Sequence, residues 1–555
     1  MSNRSKSDFD VIIIGAGLTG MYQLYRLRAL GLSVLAIEKN GDIGGTWNMN
    51  RYPGCKLDSE SYTYGYSFLP ELLQEWDWKE EFASQPDIME FLSKAADKMD
   101  IRKDIQFNTR VTKAVFDDKA NRWEIELDNA EVLTARFVVT CVGALAAPNM
   151  PKFEGMDVFR GESIHSYYWP HEANSYKGKK IDFAGKRVAV FGTGSTGVQI
   201  ITEVAKTAGE LHVMQRHPNW CTPLMNRPIE PERMADIKRR YDEIFERCES
   251  TNGGFLHDFR YETAEGTTAE EREALFEELY YSSGFGIWVG HYADSGSNPV
   301  TNGYITDFVA RKIRQRVKDP KVAEKLIPKD HGFGLKRVPM ESGYYESYNQ
   351  DNVHIVDLNE EAVREITPTG ILLDSGRHID LDIIIYATGF DAIIGALKEM
   401  DIRGVGGKTL KEAWGDGPRT YLGLQVPGFP NLITAVAAHN GATLCNIPRC
   451  AEGQVDWITD LFAYMIKNGI DRIEPSEEAA DAWTEHVYDV VSKTLFTEVT
   501  NSWFWGTFGR EQKSDRRRHR FLVYSGGNPV YREKVREVAE NGYEGFVLSR
   551  ATEDA

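Results

Sequence analysis

The chain has 555 residues, enough for two to four domains if each takes roughly 100–200. Its formal charge of −18 argues against general nucleic-acid binding and against docking on an anionic membrane, since both favour a basic surface. Residues 1–10 are polar rather than signal-like, no apolar run approaches the ~20 residues of a membrane helix, and six cysteines are too few for a disulfide scaffold, so a cytoplasmic protein is expected.

The first informative element is the apolar run Val11-Ile12-Ile13-Ile14, which reads as a buried parallel strand. It opens into Gly15-Ala16-Gly17-Leu18-Thr19-Gly20, and a helical pattern follows through Met21, Leu24, Leu27 and Leu30. Gly31 stops that helix, and Ser33-Val34-Leu35-Ala36-Ile37 forms the next strand, ending at Glu38. This is the strand–turn–helix–strand unit that binds a dinucleotide. Gly15 makes the turn, Gly17 lets a pyrophosphate approach the backbone, and Gly20 allows close helix–strand packing. The helix N-terminus faces the phosphates, and Glu38 is placed to accept hydrogen bonds from a ribose.

Gly44-Gly45-Thr46-Trp47 and Arg51-Tyr52-Pro53-Gly54-Cys55-Lys56-Leu57-Asp58 come next. In flavoproteins with two dinucleotide sites this stretch lies over the isoalloxazine ring. Disulfide reductases carry a Cys-x4-Cys pair there, whereas this chain has Trp47 and a single Cys55. Its one Cys-x4-Cys spacing, Cys445 to Cys450, falls far downstream and is read as coincidence.

A second nucleotide unit begins at the strand Lys186–Phe191 and opens into Gly192-Thr193-Gly194-Ser195-Thr196-Gly197. A helix is predicted over about 198–207, then a strand at Leu211-His212-Val213-Met214. No acid follows that strand; Gln215-Arg216-His217 stands in its place. A carboxylate there would repel a 2′-phosphate, while the Arg216 guanidinium can contact one with two parallel hydrogen bonds, so NADP(H) is expected over NAD(H).

Met234, Ile237, Tyr241, Ile244 and Phe245 recur at helical spacing, as do Ile305, Phe308, Val309, Ile313 and Val317. Ile383-Ile384-Ile385-Tyr386 is a late buried strand ending in Ala387-Thr388-Gly389, expected to return the chain to the first domain. The fold class is therefore α/β, with two Rossmann-like dinucleotide-binding domains, for FAD and NADP, and a mostly helical insertion in the NADP domain. The expected divisions are 1–150 (FAD domain, first part), 151–224 (linker and NADP domain, first part), 225–330 (helical insertion), 331–380 (NADP domain, second part) and 381–555 (FAD domain, second part, with C-terminal helices).

Between the two glycine turns lies Phe159-x-Gly161-x3-His165-x3-Trp169-Pro170. With the flanking glycine motifs, the Gly45-Thr46-Trp47 block and Ala387-Thr388-Gly389, it resembles the fingerprint of type I Baeyer–Villiger monooxygenases. The likeness runs from residue 10 to about 540. Relatives that oxidise nitrogen or sulfur carry a similar motif without the terminal Trp-Pro. Asn50-Arg51-Tyr52-Pro53-Gly54-Cys55 and Pro218-Asn219-Trp220-Cys221-Thr222-Pro223-Leu224 resemble most the branch acting on cyclic, terpenoid-derived ketones.

The resemblance implies an enzyme that reduces FAD with NADPH and forms a C4a-peroxyflavin with oxygen. That species attacks a ketone carbonyl, and the product is a lactone or ester. It implies Arg337 as the active-site arginine, Asp58 as the carboxylate orienting it, and Lys336 beside Arg216 on the 2′-phosphate. Ser502 and Trp503, following Asn501, resemble the loop whose Trp covers the nicotinamide half. His165 is implied to couple domain position to the cofactor rather than to act as a base. No metal ligands are expected. Two departures stand out: residues 171–186 form a longer polar linker, and Ala437-Ala438-His439-Asn440 replaces a Gly-Pro-rich loop at the pocket edge. The rivals are a disulfide reductase, a nitrogen- or sulfur-oxidising monooxygenase, and a non-enzymatic FAD sensor that would need neither Arg337 nor Trp169.

Overall fold

The computed structural model describes residues 7–172, 175–415, 417–442, 444–499, 502–510 (507–510 by backbone alone) and 521–550. Two sheets organise it. The first has eight strands in the spatial order 401–403, 111–117, 122–127, 132–140, 9–14, 34–37 and 105–106, with 432–434 added on 132–140. Phe9–Ile14 lies parallel between Val132–Thr140 and Val34–Ile37. Such a strand is covered on both faces, which explains the continuous run from Val11 to Ile14, all buried. The helix Leu18–Ala29 packs beneath it against the long helix Ile447–Asn468.

The second sheet is parallel throughout, in the order 353–357, 210–215, 187–191, 383–386 and 162–165. Two expectations are corrected here. Ile383–Tyr386 does not join the first sheet: it sits in the second, between Arg187–Phe191 and Glu162–His165. The physical anchor is Asp382, whose carboxylate accepts from the Arg187 backbone N–H at 2.9 Å and from its guanidinium at 3.0 and 3.2 Å. The chain meets the first domain just beyond, where the Asn149 N–H donates to Gly389 O and the Asp391 N–H to Ala147 O. The second correction concerns the fingerprint, which is more than a linker. Its residues Glu162–His165 form the edge strand of this sheet.

Helices at 231–239, 241–250, 269–280, 286–289, 299–316 and 320–326 intervene between strands 210–215 and 353–357. This insertion forms one wall of the cavity described below. No described helix is long and apolar enough to cross a membrane.

Candidate functional site

A cavity of about 1700 Å³ runs between the two sheets and the helical insertion. Both glycine turns open onto it through Gly15, Gly17, Gly192, Gly194, Ser195 and Thr196, as do Glu38, Gly45, Thr46, Trp47, Asp58, Arg216, Lys336, Arg337 and Trp503. Gly20 and Gly197 lie behind it. A Cβ at Gly20 would come within 2.0 Å of Gly15 O, and one at Gly197 within 2.1 Å of Gly192 O. Each helix therefore starts hard against its own turn. Gly194, by contrast, faces open space, with no atom within 4 Å of a built Cβ. That is the clearance a pyrophosphate needs at a helix N-terminus, so the second turn fits a dinucleotide.

Glu38 ends its strand with the carboxylate turned back on the turn. It accepts from the Ala16 N–H (2.8 Å), the Asn40 N–H (2.9 Å) and the Asn40 side chain (2.6 Å). Burial raises its pKa against those three lowering contacts. Two acceptor oxygens with about four lone pairs leave capacity for a ribose hydroxyl.

Trp47 Nε1 donates to Tyr64 Oη at 3.0 Å, which fixes the short helix Thr46–Met49 against the first domain. Cys55, nearby, is buried, and burial pushes its thiol up to about 12. A disulfide reductase needs a second cysteine beside it, and this stretch has none. Cys445 and Cys450, read from the sequence as a chance spacing, are brought together by the turn entering helix Ile447–Asn468, with their Cα atoms 6.4 Å apart.

Arg337 and Asp58 are far apart in sequence and meet in the cavity wall. Arg337 Nη1 donates to Asp58 Oδ2 at 2.8 Å and to Val338 O at 2.9 Å. Its guanidinium lies over two rings, 5.3 Å from Phe285 and 5.7 Å from Trp288. The Asn219 side chain donates to Arg337 O at 3.3 Å, and strand Thr222–Pro223 pairs in parallel with Met340–Glu341. The segments 218–224 and 336–341 thus form one unit, a pairing that no sequence pattern announces. Gln199 is a second residue that sequence reasoning missed. From the second nucleotide helix it accepts from Tyr52 Oη at 3.0 Å and donates to Lys56 O at 3.2 Å, joining the two domains.

Arg216 and His217 are exposed at the cavity rim. Lys336 is more enclosed; its Nζ sits 3.2 Å from Asp330 Oδ2, and burial lowers its pKa. Trp503 lies edge-on to Phe504 at 4.5 Å. Asn501, expected in the same loop, lies outside the described residues.

The fingerprint residues Phe159, Gly161, His165, Trp169 and Pro170 do not line the cavity. His165 is 5 % exposed, accepts from the Tyr167 N–H at 3.2 Å, and places Nε2 3.5 Å from Thr388 Oγ1. Burial lowers its pKa, so it sits neutral between the strand and the Ala-Thr-Gly turn. Trp169 Nε1 donates to Lys179 O at 3.1 Å, while Tyr176 Oη donates to Ser93 Oγ at 2.8 Å. The linker is therefore folded back onto the first domain, where the Arg51 guanidinium also holds the Ser175 carbonyl. The 437–440 loop is a correction too: Ala435, Val436 and Gly441 line the cavity, while His439 and Asn440 are buried behind them.

Two glycine turns of this kind facing one cavity, with a Trp-bearing helix in place of a redox cysteine pair, define a flavoprotein that holds two dinucleotides. Residues 8–248 match the family model "Flavin-binding monooxygenase-like". The chain is 50% identical over 550 residues to the 2-oxo-Delta(3)-4,5,5-trimethylcyclopentenylacetyl-CoA monooxygenase of Pseudomonas putida, covering 99% of this chain and 100% of that one. It is 40% identical to the cyclopentanone 1,2-monooxygenase of a Comamonas species, covering 99% and 98%. The solved OTEMO complex with FAD and NADP superposes with a TM-score of 0.94 at 48% identity, covering 98% of this chain and 100% of that one. The chain belongs to the type I Baeyer–Villiger monooxygenases. It works with FAD and NADPH and inserts one oxygen atom beside a ketone carbonyl.

Proposed function

We propose that the substrates are ring ketones, converted to lactones, with Arg337 as the catalytic residue and Asp58 holding it in place. A cytoplasmic location is part of the same reading. The observation that carries it is the Arg337–Asp58 ion pair at 2.8 Å in the wall of the shared cavity. The bound flavin, once reduced by NADPH, supplies the activated oxygen. The protein's share is electrostatic. Attack on a ketone drives negative charge onto the carbonyl oxygen, and a guanidinium that stays charged at working pH can accept that charge without a proton transfer. One strong preorganised donor of this kind contributes roughly 3–4 kcal/mol to the transition state.

Asp58 uses one of the guanidinium's five N–H groups and Phe285 and Trp288 cover a face, so the fork keeps its direction and free donors remain. Lys336 and Arg216 would receive the 2′-phosphate, and Trp503 would close over the nicotinamide half. Gln199 would keep the two nucleotide turns in a fixed relation. The cyclopentenyl and cyclopentanone relatives support a ring of five carbons.

The test is direct. Purified protein with NADPH and ¹⁸O₂ is given cyclopentanone, cyclohexanone and an aryl methyl sulfide. Lactones carrying one labelled oxygen are expected from the ketones. Peroxide without lactone, or sulfoxide alone, would refute the reading.

A further inference from the structure

The cavity carries a second polar constellation that the chemistry at Arg337 leaves unused. His257, on the loop after helix Tyr241–Ser250, lines the cavity. Its Nε2 lies 2.9 Å from Glu60 Oε1, within hydrogen-bond reach. Glu60 is 3 % exposed, and its other oxygen, Oε2, has no hydrogen-bond partner among the described residues. A buried carboxylate left half satisfied is costly, and replacement by an apolar residue would relieve that cost. Such a group is kept for what it orients.

What it orients is the imidazole. With Nε2 committed, Nδ1 has no protein partner among the described residues, and the side chain is 26% exposed towards the cavity. The position relative to the reaction follows from the ring stack. Phe255, two residues earlier, meets Phe285 edge-on at 4.7 Å, and Phe285 in turn lies under Arg337 at 5.3 Å. His257 stands beside the same segment: its Cε1 is 3.6 Å from where a Cβ on Gly286, next to Phe285, would lie. A ketone whose carbonyl reaches Arg337 would bring a ring substituent, not the carbonyl itself, to His257. The neighbouring carboxylate does not compete for that place: Asp258 is engaged by the backbone N–H groups of Asn252 and Phe259.

We propose that His257, positioned by Glu60, is a specificity residue that hydrogen-bonds a polar side chain carried by the ring ketone. It selects ring ketones that carry a hydrogen-bonding substituent over unsubstituted ones. Glu60 is a positioning residue that acts through His257. The inference rests on the ring-ketone reading above and deepens it.

The experiment compares cyclopentanone with 2-oxocyclopentaneacetamide, whose amide can donate to or accept from Nδ1, whichever tautomer is present. In His257→Phe, KM for the amide ketone should rise about tenfold, the worth of one hydrogen bond of ~1.4 kcal/mol, with kcat unchanged. The KM for cyclopentanone should stay within about twofold, since no polar group is lost from its complex. His257→Gln, which keeps a hydrogen-bonding side chain, should recover part of the loss. It also serves as the reading variant if His257→Phe purifies without flavin. Equal KM changes for both ketones, or no change for either, would overturn the proposal. Absence of lactone from either ketone with the wild-type enzyme would instead sink the ring-ketone reading itself.

Discussion

Lys336 and Arg216 reach the same rim of the cavity from different segments, and they differ in setting. Arg216 is exposed, so a contact there with a 2′-phosphate would be screened by solvent and salt. Lys336 is largely enclosed, with Asp330 as its one ionic partner among the described residues, at 3.2 Å. A charged hydrogen bond there contributes roughly 1.5–3 kcal/mol, so Lys336→Ala should raise KM for NADPH by about 10- to 100-fold. KM for NADH should barely move, because NADH has no 2′-phosphate. Steady-state titration with both cofactors checks this, and equal losses would remove Lys336 from phosphate recognition. At this scale the sequence was informative about chemistry and silent about partners. Arg337 and Asp58 were placed by resemblance, since nothing in spacing brings residues 58 and 337 together. Glu60 and His257 carried no signal at all, because a Glu two residues past Asp58 and a lone His in a polar loop look like solvated positions.

Among elements, the nucleotide units were legible because physics writes them twice: apolar runs for strands buried on both faces, and glycines where backbone meets backbone. The helix and strand ends moved by a few residues, with the second helix at Ser195–Val204 rather than 198–207. Ile383–Tyr386 was legible as a strand but not as a member of the second sheet. Four apolar residues state burial without naming a neighbour, and the decisive contact, Asp382 with Arg187, is polar and distant in sequence. That contact also explains Gly161. A Cβ at position 161 would stand 2.3 Å from Asp382 O, so the edge strand can lie against its neighbour only without a side chain there. Gly161→Ala should cost about 1–3 kcal/mol, the usual penalty of forced overpacking. Urea unfolding followed by flavin release measures it, and an unchanged midpoint would show that the strand is free to shift.

For the molecule as a whole, stability should depend on pH through the helical insertion. His291 is 3 % exposed among Phe259, Phe276 and Phe333, and burial lowers its pKa to about 4. In the unfolded chain the ring takes its proton near 6.5. Between those values the unfolded state binds more protons, so stability is full above pH 6.5 and is lost as pH falls towards 4. The loss reaches roughly 3 kcal/mol, from about 1.4 kcal/mol per pH unit. Denaturation of wild type and His291→Phe at several pH values should show a shallower acid slope in the variant. Parallel slopes would mean that other groups dominate.

In the proposed mechanism the insertion, the two sheets and their linking residues together put one guanidinium where a ketone and an activated oxygen meet. The most direct measurement is product analysis of Arg337→Ala with NADPH, ¹⁸O₂ and cyclopentanone, beside the wild type. The variant should still oxidise NADPH and should release peroxide, while labelled lactone falls by at least about 10²–10³-fold, the cost of losing one strong donor. Labelled lactone formed by Arg337→Ala at the wild-type rate would contradict the account.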